Sequence, residues 1–122
     1  MYFKSWEELE ALCPIEGGYW NKDALEEYLI QSCSSRFSGE INAFMAEHQG
    51  DEALAELLFS FLLDDTYDGS DCQMGAAWYV ARMERNVLRK KKDLLLQAQQ
   101  NEVAWKRPFR DSGSLEWLTL TE

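Results

Sequence analysis

The chain is poor in the residues on which most catalytic and metal chemistry is built. It has one histidine, His48, two prolines and three cysteines in 122 residues. Cys13, Cys33 and Cys72 are odd in number and far apart, which excludes a disulfide framework and a CxxC pair and points to a reducing compartment. A single histidine with scattered cysteines has no zinc-site spacing, and no pattern selects a cysteine–histidine nucleophile pair. His48 reads instead as a residue near a helix C-terminus, just before Gly50. A phosphate-binding glycine loop and a GxSxG elbow are both missing. Long hydrophobic runs are missing too. LLFSFLL at 57–63 and AAWYVA at 76–81 fall far short of the ~20 residues that cross a bilayer, so no membrane association is expected. The opening MYFKSWEELE lacks the basic-then-apolar design of a signal peptide. These absences together predict a soluble, cytoplasmic protein that carries no cofactor and no metal.

Positive charge is the other scarcity, and it is unevenly spread. Residues 1–71 hold 16 Asp/Glu against 3 Lys/Arg, whereas residues 72–122 hold 6 against 9. The net charge of −10 and pI of about 4.5 oppose direct nucleic-acid binding, because a phosphate backbone repels such a surface. The apolar fraction of 46% and aromatic fraction of 13% belong to a folded protein and not to an acidic disordered tail. The length suits one domain, 1–122.

Apolar periodicity is helical almost throughout. Ser5-Trp6-Glu7-Glu8 reads as a capping box, and its short helix stops at Pro14. Glu16-Gly17-Gly18 is a turn. Asn21 can cap a second helix carrying Leu25, Tyr28, Leu29 and Cys33, with Gly39 separating it from a short third one. Leu54, Leu57, Leu58, Phe61 and Leu62 form a stripe wide enough for a central buried helix. Ser70 or Asp71 can cap the next, which has apolar residues on two adjacent faces and a basic C-terminal half. A break near Lys90–Asp93 is expected there, because an unbroken helix beyond it is too long for so small a domain. Residues 105–122 read as a less regular tail, with a short strand possible at LEWLTLT. The expected fold is all-α: a single compact domain of about five to six mostly antiparallel helices.

Between the two longest apolar helices lies Asp64-Asp65-Thr66-Tyr67-Asp68-Gly69-Ser70-Asp71, with four carboxylates in eight residues. Asp64, Thr66, Asp68 and Gly69 match positions 1, 3, 5 and 6 of a calcium loop, but Gly75 stands where position 12 needs a bidentate glutamate. A solvated, glycine-containing loop also gives no reason for a raised carboxyl pKa, so paired-carboxylate catalysis is unsupported. Two readings remain: an ordinary polar loop whose acids cap the next helix, and an acidic docking surface. Glu52 and Glu56, one turn apart on the preceding helix, would extend that surface, and Tyr67 would supply an aromatic anchor. Met74, Trp78 and Tyr79 read first as core, and as a partner groove second. Cys33 and Cys72 read as small apolar packing residues. The Lys90–Lys92 run reads as a solvated face or as an internal partner for the acidic half.

With its Asp-rich turn feeding an apolar helix (DDTYDGSDCQMGAAWYVARM, Asp64–Met83), this acidic, largely helical chain resembles the immunity proteins of contact-dependent growth inhibition systems. The match lies mainly in residues 50–90. The resemblance implies a cytoplasmic inhibitor, not an enzyme, that binds a cognate toxin domain, foremost a basic nuclease acting on RNA. The residues assigned to contact are Glu52, Glu56, Asp64, Asp65, Tyr67, Asp68 and Asp71. The alternative is a helical protein–protein interaction adaptor, or a small regulatory protein, with no toxin partner.

Overall fold

The computed structural model describes residues 3–34, 36–64, 66 and 71–100. The tail expected at 105–122 lies outside the described residues. Among those described, seven helices and one two-stranded hairpin account for the regular structure: α1 (Trp6–Glu10), β1 (Ile15–Glu16), β2 (Tyr19–Trp20), α2 (Lys22–Ser32), α3 (Ser38–Ala46), α4 (Glu52–Leu62), α5 (Asp71–Val80), α6 (Arg85–Lys90) and α7 (Lys92–Gln100). The fold is helical, as the periodicity predicts.

The helix starts follow local chemistry. The Ser5 hydroxyl accepts from the Glu8 amide, while the Glu8 carboxylate reaches back one residue further than expected, to the Lys4 amide at 2.9 Å. Asn21 accepts from the Ala24 amide at 3.0 Å. Asp51 caps α4 through the amides of Ala53 and Leu54, and its other oxygen accepts from the Trp20 indole at 3.0 Å. Asp51 thus fastens the hairpin to α4. Gly17 and Gly18 both have positive φ, 58° and 84°, which is what a two-residue hairpin loop between Glu16 and Tyr19 requires. Gly39 falls inside the first turn of α3 and does not separate it from α2. His48 lies past the end of α3, with its ring against Trp20 and Phe44 at 5.2 and 4.9 Å between centroids.

α5 is the centre of the assembly and packs against both α2 and α4. Leu25, Leu29, Leu54, Leu58, Phe61 and Val80 are fully buried in the shared core. Contact with α2 is closest at Gly75. A β-carbon there would lie 2.7 Å from the Leu29 carbonyl oxygen and 3.0 Å from the Ser32 hydroxyl. Gly75 is therefore a packing residue, which accounts for glycine standing where a calcium loop needs glutamate.

The helix expected from residue 71 to about 90 is broken twice. The break at Lys91 was anticipated; the one at 81–84 was not. Arg82 and Met83 donate to Tyr79 and Val80 carbonyls in tightened three-residue bonds, and the Glu84 amide turns away to the Gln49 carbonyl at 2.9 Å. No proline or glycine marks this break. Buried Val80 before it, Met83 within it, and Val87 and Leu88 after it keep a helical spacing across it. After the break, α6 and α7 both pack against α4. No helix among the described residues is long and apolar enough to cross a membrane.

Candidate functional site: the acidic end of the α4–α5 pair

The acidic turn begins where α4 ends. The last carbonyls of a helix have no partners within it. Here a buried glutamine supplies donors: Gln73, 2% exposed, directs its amide nitrogen to the carbonyls of Phe61, Leu62 and Asp64 at 3.4, 2.9 and 3.3 Å. This side chain, rooted in α5, locks the exit of α4 to the entry of α5. Asp64 follows immediately. One of its oxygens accepts from the Thr66 hydroxyl at 2.6 Å and the Thr66 amide at 2.9 Å. These two hydrogen bonds, with the nearby Lys22 ammonium, hold its carboxyl below the ordinary value, so it stays ionised. Asp71 opens α5, exposed and in the first turn, where the helix dipole favours a carboxylate. Its carbonyl accepts from the Cys33 thiol at 3.4 Å.

Asp64 and Asp71 thus mark adjoining ends of two packed helices. Asp65, Tyr67 and Asp68 lie outside the described residues. Glu52 and Glu56 are exposed on α4, one turn apart, but each has a cation beside it. The Lys90 ammonium is 3.5 Å from Glu52, and the Lys91 ammonium is 2.6 Å from Glu56. Their field is thereby partly neutralised. The basic run is thus an internal partner at Lys90 and Lys91.

Among the described residues no cluster of three His, Cys, Asp or Glu side chains could hold a metal ion. Cys72 is buried, and its thiol is pushed up to about 12 by burial, with Glu26 contributing. Cys33 is exposed as a residue and does not pack as the small apolar side chain expected. Partial burial of its sulfur and the charge of Asp71 raise that thiol as well. Neither cysteine is poised as a nucleophile.

Trp78 and Tyr79, read first as core and second as a partner groove, divide between the two readings. Tyr79 is buried, donates to the Asn42 amide oxygen and is pushed up to about 12 by burial, as a core residue should be. Trp78, assigned to the same core, is 39% exposed. The Arg82 guanidinium carbon lies over its ring, 3.3 Å from the centroid, and the side chain donates to the Trp78 carbonyl at 2.8 Å. Two depressions flank this ridge. One, of about 250 Å³, runs past Met45, Ala46, Leu54 and Met83. The other, of about 390 Å³, runs past Ser32, Cys33, Met74 and Gly75. The four-residue spacing of Met74, Trp78 and Arg82 was the available signal, but periodicity alone cannot say which of two adjacent faces is covered.

No family model matches the chain, and no curated protein and no solved structure is significantly similar to it.

Proposed function

We propose that this protein is a cytoplasmic immunity protein: an inhibitor, not an enzyme, that binds a cognate toxin domain through the acidic end of the α4–α5 pair. The observation that carries the reading is that Asp64 and Asp71 stand where the buried Gln73 ties the end of α4 to the start of α5, within a half of the chain that holds 16 acidic against 3 basic residues. A nuclease must hold phosphates in a basic cleft, and a rigid array of carboxylates can occupy that cleft in the substrate's place. The array accelerates encounter and makes it salt-sensitive.

The test is co-expression with a candidate basic ribonuclease domain, followed by affinity and RNA-cleavage measurements at low and high salt. The expected outcome is a stoichiometric complex that suppresses cleavage. Asp65→Lys with Asp68→Lys should weaken it and flatten its salt dependence. Glu52→Lys with Glu56→Lys should act less, because Lys90 and Lys91 already offset those charges. Affinity that ignores both the Asp reversals and the salt would sink the acidic mechanism. One observation favours the second reading, an interaction adaptor with no toxin partner: the exposed Trp78 ridge provides an apolar docking element that owes nothing to the acidic turn.

A further inference from the structure

We propose that the Trp78–Arg82 ridge and its two flanking depressions form a docking groove for an amphipathic helix of a partner protein, one that presents large apolar side chains together with a carboxylate. The surface centres on Trp78 and Arg82 and meets the acidic end only at Cys33, beside Asp71, and the proposal stands whether or not the partner is a toxin. Three observations on charge and shape identify the occupant. First, the walls are mostly apolar, with Met45, Ala46, Leu54 and Met83 on one side and Met74 on the other, and Trp78 stands between them at 39% exposure. Burying a half-exposed indole is a large apolar gain, and tryptophan and arginine are the residues most enriched where binding energy concentrates. Second, both depressions are open to solvent along the ridge, so they suit successive side chains of one helix better than an enclosed small molecule.

Third, the cation at this ridge pairs with no carboxylate among the described residues. In a chain of net charge −10, Lys90 and Lys91 by contrast lie against glutamates. The Arg82 guanidinium lies instead over the Trp78 ring, and partial burial lowers its pKa. Contact with the ring and the bond to the Trp78 carbonyl restrain the guanidinium, whose remaining N–H groups can receive a carboxylate. A basic helix would face an uncompensated like charge at that point.

The test is selection of a displayed library of helical peptides on the full chain, with the best peptide carried into affinity measurements. The expected result is enrichment of large apolar residues three or four positions apart, with Asp or Glu within a turn of them. Trp78→Ala should weaken the selected peptide at least ten-fold. Arg82→Gln should weaken it several-fold, and Arg82→Glu should reverse the preference so that the Lys-for-Glu peptide now binds better. Circular dichroism identical to the parent shows that each variant is folded. Three outcomes would overturn the proposal: enriched peptides with no carboxylate preference, a preference unchanged by Arg82→Glu, or a homodimer that Trp78→Ala dissolves. Basic peptides that respond to Asp65 and Asp68 reversal but not to Trp78→Ala would support the acidic turn and reject the groove.

Discussion

Gly75→Ala turns the contact between α2 and α5 into a question of sign. An alanine inside a helix is more favourable than glycine by about 1 kcal/mol, so helix propensity alone predicts stabilisation. The structure predicts the reverse. The added methyl would sit 2.7 Å from the Leu29 carbonyl oxygen, against the 3.4 Å or more of an ordinary contact. The obstacle is backbone, which cannot swing aside, so α2 and α5 must separate by roughly 0.7 Å in a close-packed interior. Overpacking of this kind costs about 1–3 kcal/mol. With a backbone obstacle the upper part of that range applies, leaving a net loss of about 1–2 kcal/mol and a fall in Tm of about 3–10 °C. Gly39→Ala is the matched control. It lies in α3 with nothing within 4 Å of the new methyl, and should stabilise by about 0.5–1 kcal/mol. Urea denaturation followed by circular dichroism reads both. If Gly75→Ala proves as stable as the parent or more so, α2 and α5 do not approach as described, and Gly75 has no packing role.

Two further measurements probe other parts of the same frame. Gln73→Leu keeps the volume but leaves the carbonyls of Phe61, Leu62 and Asp64 without their buried donor; it should cost about 1–3 kcal/mol and speed amide exchange at Thr66, and a loss under about 0.5 kcal/mol would remove Gln73 as the lock. Alkaline stability tests the core hydroxyls and thiol. The folded protein raises Cys72 from 9.0 and Tyr28 and Tyr79 from 10.0, each to about 12. The protonated forms are the ones the fold favours, so stability is full below about pH 9 and falls as pH climbs toward 12. Thermal unfolding across that range should show the decline, with Cys72→Ala making its first part, between pH 9 and 10, shallower while Cys33 still contributes there, and a flat profile would contradict the burial.

The helices were legible because their signals are local. Ser5, Asn21 and Asp51 cap through contacts within three residues, and the stripe from Leu54 to Leu62 needs only periodicity to be read. The break at 81–84 was not legible, because its cause is a distant carbonyl, Gln49, that takes the Glu84 amide. The acidic turn was visible as composition, but the pairing of Glu52 and Glu56 with Lys90 and Lys91 depends on α6 packing against α4 after that unseen break. Trp78 was misassigned for a related reason. An apolar helix with two candidate faces says nothing of where its neighbours end, and here α2 and α4 leave the indole uncovered.

The central place of α5 also sets the order in which the chain can close. Its contact with α4 spans only the eight residues 63–70, whereas its contact with α2 spans the 38 residues 33–70. Loop-closure entropy makes the second closure roughly 1–2 kcal/mol more expensive than the first. A pair formed by α4 and α5 is therefore the cheaper nucleus, and the seating of α2 against Gly75 comes after it. Truncating a core side chain at the α4–α5 contact, such as Leu58, should slow folding. Crowding Gly75 should chiefly hasten unfolding.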